Sequence, residues 1–222
     1  MYEELVRNLI DQLGHRYSRE LGIDVDSGKD DEISKWMIAS VLFGARISEG
    51  IAKKTYQWLA VEGLVTPDAI IEKGLDDIVY ALDTGGYVRY DFKTADKLLE
   101  LSKNLKEGYD SSLNNLYRIS SASEDLVMRI KGLAKGIGDV TVSIFLREML
   151  NVWDVEPMPS ELVRLAGTKL RIDLKKFWKD NRSQYIALET ALLRLAKDFC
   201  RKKKCDRCSF TDRCAEPVLS TK

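Results

Sequence analysis

A chain of 222 residues, 45% apolar and 32% charged, has the material for one large core or two small ones. Its 35 basic and 35 acidic side chains cancel, so bulk charge gives no argument for nucleic acid and only local charge could. No stretch approaches the roughly 18 uninterrupted apolar residues of a membrane helix, and the opening MYEELVRNLIDQLGHRY carries early acids, unlike a secretory signal. The expectation is a monomer of the reducing cytoplasm with no membrane partner.

In chain order, almost every segment reads as helix. Glu3–Tyr17 places Leu5, Leu9, Ile10 and Leu13 at helical spacing. After the polar run Asp24–Glu32, Ile33–Ala45 is apolar nearly all round, as a central buried helix would be. Ser48–Leu59 follows, then Thr66–Lys73, where Thr66 caps a helix that begins with proline. Leu75–Leu82 stops at Gly85-Gly86. Thr94–Leu105, the brief Asn114–Ile119, Ser123–Leu133, Val140–Leu150, Ser160–Thr168, Leu174–Phe177 and Gln184–Cys200 complete the series. Alternating strand patterns are scarce, so the fold class is all-α.

The four cysteines are Cys200, Cys205, Cys208 and Cys214, spaced C-x4-C-x2-C-x5-C. Four thiolates this close can converge on one soft centre, either a tetrahedral zinc or an iron–sulfur cluster. Zinc sites more often show two C-x2-C arms, so a cluster is favoured and zinc is the alternative; a disulfide pair suits a secreted chain better. Around them Lys202, Lys203, Lys204 and Arg207 form a basic stretch. It can contact phosphate, or it can be a solvated face offsetting the thiolates.

A second informative piece is Ile130–Thr141, IKGLAKGIGDVT. One helix ends, Gly136-Ile137-Gly138 turns, and another starts near Asp139, which reads best as its cap. Such a turn, flanked by Lys135 and followed by Thr141, can take a DNA phosphate on its backbone amides. Equally, it can be a plain hairpin stapled by Ile137. In the loop GGYVRYDFK, Tyr87, Arg89, Tyr90 and Lys93 alternate aromatic and basic groups suited to bases and phosphates. The plainer reading packs the tyrosines and pairs Arg89 with Asp91.

Taken together, the G-I-G hairpin and the terminal four-cysteine loop resemble the endonuclease III family of helix-hairpin-helix DNA glycosylases. Leu42–Glu49 (LFGARISE) is similar to the family's buried helix leading into a DNA-probing loop, and Gly85–Ala95 to its glycine–aromatic turn. The likeness runs from about residue 33 to 214. It implies two helical lobes: a six-helix barrel with the hairpin over 26–152, and a lobe of 1–25 with 153–222 carrying a [4Fe-4S] cluster on the four cysteines. It also implies double-stranded DNA with a damaged or mismatched base as partner, with the base flipped. Arg46 falls where the family fills the gap left by that base.

The catalytic pattern departs from the family. Its Schiff-base lysine position is Val140 here, which argues against lyase chemistry from that site. Anchoring the acid motif on Arg164 puts Pro159 where the family has its aspartate. Asp154, Glu156 or Glu161 is then the candidate acid for hydrolysing the base–sugar bond. The first expectation is a monofunctional DNA N-glycosylase. The alternative is a non-catalytic DNA-binding protein of glycosylase descent, and a zinc-stabilised helical adaptor is a remoter third.

Overall fold

A computed structural model describes residues 2–216, which are helical with no strand among them. The chain divides into two compact units, Leu21–Glu156 and the discontinuous pair Met1–Glu20 with Pro157–Lys222. No helix among the described residues is long and apolar enough to cross a membrane.

The discontinuous unit opens with α1 (Tyr2–Leu13) and the single turn α2 (Tyr17–Glu20). The larger unit then contributes α3 (Asp30–Phe43), α4 (Glu49–Val61), α5 (Pro67–Gly85) and α6 (Asp91–Tyr109). It closes with α7 (Leu113–Arg118), α8 (Ser123–Gly132) and α9 (Asp139–Met149). The chain returns to the first unit through α10 (Glu161–Lys169), α11 (Leu174–Asp180) and α12 (Arg182–Leu195).

Capping chemistry places several of these starts. Thr66 and Ser48 accept the amides of Ala69 and Ile51, at 3.3 and 3.2 Å. Inside α5, Gly74 takes φ 77° and ψ −174°, breaking the helix between the two segments expected from sequence. The long C-terminal segment is not one α-helix: α12 stops at Leu195 and winds into a π-turn over Ala196–Cys200.

In the larger unit α3 is the axis. Ile33, Trp36, Met37, Ile38 and Leu42 are all buried, and the helix packs on α4, α6, α7 and α9. An indole that deep needs an acceptor, and Trp36 Nε1 donates to the Phe145 carbonyl at 3.1 Å. Gly85 lets α5 close on α4, since a Cβ there would lie 2.5 Å from the Thr55 Cα. The far end of the unit is tied by Asn114. Its Oδ1 accepts from Trp153 Nε1 at 2.9 Å, its Nδ2 donates to the Gly28 carbonyl, and its backbone amide donates to Asp30. Trp153 stacks flat on Tyr117 at 4.7 Å between centroids.

In the discontinuous unit α12 is the core, with Tyr185, Ile186, Leu188, Ala191 and Leu192 buried against α1, α10 and α11. Arg194 fastens the N-terminal segment to it. Its guanidinium donates to the Leu13 and His15 carbonyls and to Glu20, and lies 4.3 Å from the Tyr17 ring centroid.

Replacing Asn114 with alanine leaves the Trp153 indole and the Gly28 carbonyl without these partners. The expected loss is about 1–3 kcal/mol, measured by urea unfolding; an unchanged midpoint would contradict the role given to Asn114.

Candidate functional site

Two places concentrate the sequence-expected residues, one in each unit. In the larger unit, α8 ends at Gly132 and the chain turns through Leu133–Gly138 into α9. Ile137 is buried at 5% exposure and anchors the turn, while Lys135, Gly136 and Gly138 are exposed. Gly136 takes φ +90°, a conformation that side-chain-bearing residues rarely adopt. Gly138 is extended and forms the N-cap of α9. Asp139 therefore does not cap the helix: as its first residue it pairs with Lys131 at 2.6 Å, which holds its carboxyl below the usual range.

The turn is held from α6. Glu100 Oε2 accepts the Lys135 amide at 3.0 Å, and Asn104 Nδ2 donates to the Leu133 carbonyl at 3.0 Å. One turn earlier on the same helix, Lys97 reaches Gly136: a Cβ on that glycine would lie 3.2 Å from its Cε and 3.4 Å from its Nζ. Burial pushes the Lys97 ammonium below the ordinary lysine range. Lys97 lies outside the sequence motifs that mark the hairpin and the aromatic–basic loop. Its spacing with Lys93, Glu100 and Asn104 on one face of α6 was the available signal.

The other expected DNA-facing residues divide by burial. Arg46, Arg89 and Lys93 are exposed. Tyr87 is not, at 1% exposure, and its hydroxyl takes part in a 3.4 Å hydrogen bond donated by Thr94, so it packs the loop and cannot stack on a base. Thr141 is also buried, at 4%, and lies where a Cβ on Gly44 would collide with its hydroxyl. It positions the α3–α4 turn that carries Arg46 and has no face for a phosphate. Arg89 does not pair with Asp91; its guanidinium lies over the Tyr90 ring at 5.4 Å. Asp91 instead faces Asp83, whose carboxyl is raised by partial desolvation first and then by the hydrogen bond and repulsion from Asp91. Beside the loop, Val88 and Phe92 are unexpectedly exposed, at 64% and 60%.

In the discontinuous unit the four cysteines line a single cavity with Lys169, Leu170, Leu195, Phe199, Phe210 and Thr211. No disulfide links them. The π-turn delivers Cys200, and two 3-10 turns, Cys205–Arg207 and Thr211–Arg213, carry the rest of the loop around. The Thr211 hydroxyl donates to the Cys205 and Cys208 carbonyls, and the Ala215 amide to Lys169, at 2.7 Å for the latter. Burial raises the Cys200 thiol pKa, and the neighbouring Cys208 and Cys214 push it further, against the pull of Lys169. Among the described residues no three Cys, His, Asp or Glu side chains close on one point as a single ion would require. Lys203 and Lys204 are exposed on this loop, Lys203 in a left-handed conformation; Arg207 is exposed beside Asp206.

The candidate acids are all exposed. Asp154 and Glu156 belong to the larger unit, where the Asp154 amide donates to the Tyr117 hydroxyl at 2.9 Å; Glu161 starts α10 in the other. Val140 is 62% exposed on the first turn of α9, and Pro159 is half-buried.

Alanine at Gly136 would force a side chain into the left-handed region and against Lys97, with an expected loss of about 1–2 kcal/mol. Alanine at Gly138, extended and facing open space, should cost less; denaturant midpoints in the reverse order would contradict the turn geometry. The chain matches no family model and no curated protein, so the chemistry of these two places carries the functional conclusion.

Proposed function

We propose that the protein is a base-excision DNA repair glycosylase of the helix-hairpin-helix kind, working in the cytoplasm on double-stranded DNA with a damaged or mismatched base. The observation that carries the reading is the α8–α9 hairpin, with its left-handed Gly136, exposed Gly138 and buried Ile137. Exposed Arg46, Arg89 and Lys93 in the same unit support a DNA-facing role, and exposed Val88 and Phe92 are suited to wedging between bases.

The convergence of Cys200, Cys205, Cys208 and Cys214 on one apolar-walled cavity supports a metal centre. Four thiols around a shared space are the donor set a [4Fe-4S] cluster takes, with a zinc ion as the alternative. Such a cluster would add folding energy to the terminal loop and fix Lys203, Lys204 and Arg207 for phosphate contact.

For the reaction, an exposed carboxylate among Asp154, Glu156 and Glu161 stabilises the cationic sugar or accepts a proton from the attacking water as the base leaves. Val140 supplies no amine, so the sugar is not captured as a Schiff base there. A second reading has its own support: with proline at the family's aspartate position, the protein can be a non-catalytic reader of distorted or abasic DNA.

A base-release assay separates the two. Duplexes carrying uracil, a T·G mismatch, 8-oxoguanine, an alkylated adenine, hypoxanthine or thymine glycol are incubated and split with and without hot alkali. Strand scission only after alkali is the expected result, and binding with no scission on any duplex would favour the reader. Changing Asp154, Glu156 and Glu161 together to their amides should abolish release and spare binding. Iron and acid-labile sulfide should accompany protein purified without oxygen, and be lost with a lower melting temperature in Cys205→Ser; stoichiometric zinc would overturn the cluster assignment.

A further inference from the structure

The side of α6 that faces the hairpin carries Lys93, Lys97, Glu100 and Asn104. Two of the four are used up: Glu100 holds the Lys135 amide and Asn104 the Leu133 carbonyl. The other acid at the turn, Asp139, is occupied by Lys131. Lys97 lies against Gly136, half-buried, with no hydrogen bond or ion pair to the described residues. A half-withdrawn ammonium without a counter-ion is costly. The lowered pKa of Lys97 has no cause other than this burial. An anion reaching the exposed turn would offset that cost.

We propose that Lys97 is a phosphate-binding residue: its ammonium, against Gly136, takes a DNA phosphodiester oxygen, and Lys93, one helical turn away, takes the neighbouring phosphate. The two lysines stand about 6 Å apart along the helix axis, and Lys93 adjoins Phe92 and the loop bearing Arg89 and Tyr90. A single strand of backbone is thereby led from the hairpin towards that loop. The inference rests on the DNA-binding reading above and adds a residue and a direction to it.

The test compares the wild type with Lys97→Met, which keeps an apolar stem over Gly136, and Lys97→Arg, which keeps the charge. Affinity for an undamaged and an abasic duplex is measured by fluorescence anisotropy between about 50 and 200 mM salt. The Met variant should bind both duplexes about three- to tenfold more weakly, with the slope of log K against log salt reduced by about 0.9; the Arg variant should retain both. A purely structural lysine would leave the slope unchanged, and an unchanged slope with wild-type binding intact overturns the proposal alone. Absence of any wild-type binding overturns it together with the DNA reading. Because the Met variant can be destabilised, lysine acetylation of the wild type gives a second measurement. DNA should protect Lys97 from reagent. Exposure of Lys97 in the complex, or protection by inorganic phosphate but not by duplex, overturns it. A borohydride-trapped adduct between Lys97 and abasic DNA would likewise overturn it in favour of a nucleophile.

Discussion

A buried indole must place its N–H on an acceptor, and in the larger unit that requirement fixes where the hairpin can stand. Trp36 sits at the centre of α3 and has no water to turn to, so it reaches the Phe145 carbonyl of α9. One turn earlier on α9, the Thr141 hydroxyl fills the space that the missing side chain of Gly44 leaves at the end of α3. Two contacts on one pair of helices set both the height and the rotation of α9. Since the Gly136–Gly138 turn leads directly into α9, its exposed backbone is aimed by side chains that never approach the surface. From the other side, α6 fixes the same turn through Glu100 and Asn104.

The parts of this arrangement that depend on local chemistry could be read from sequence, and the parts that depend on a neighbour could not. Thr66 and Ser48 cap their helices because a hydroxyl beside the first turn satisfies an amide wherever the helix goes. The stop of α5 at Gly86 and the break at Gly136 follow equally from backbone sterics, since both glycines take positive φ. Asp139 departs from the same logic because Gly138 takes the N-cap position and Lys131, in the last turn of α8, pairs with its carboxylate. Tyr87 and Thr141 carry groups that would serve on either side of a surface, and only packing decides which side they take. The π-turn at Ala196–Cys200 was illegible for a different reason: apolar periodicity continues smoothly through Leu195 and does not register an extra residue per turn.

Charge balance tells a similar story. The chain is neutral overall, yet many acids of the larger unit are spoken for within a few ångströms: Asp125 by Arg129, Asp139 by Lys131, Glu100 by a backbone amide, Asp30 by Ser112 and Asn114. At the hairpin this leaves exposed Lys93 and Lys135 and half-buried Lys97 without an acid of their own among the described residues. A count of residues hides this because it gives committed and uncommitted charges equal weight. The cysteine loop repeats the pattern, with Lys203 and Lys204 exposed beside a cavity of potential thiolates.

The discontinuous unit carries a consequence for the order in which the molecule is made. Its helix α1 is synthesised before the whole of Leu21–Glu156, and its core helix α12 and four-cysteine loop after it. The larger unit can complete its own interior while α1 waits with Val6 and Leu9 uncovered. Only when α12 arrives, with Arg194 gripping the Leu13 and His15 carbonyls, does α1 acquire its packing partner. A polypeptide truncated between Glu156 and α12 would therefore present a finished hairpin beside an α1 with no partner to cover it.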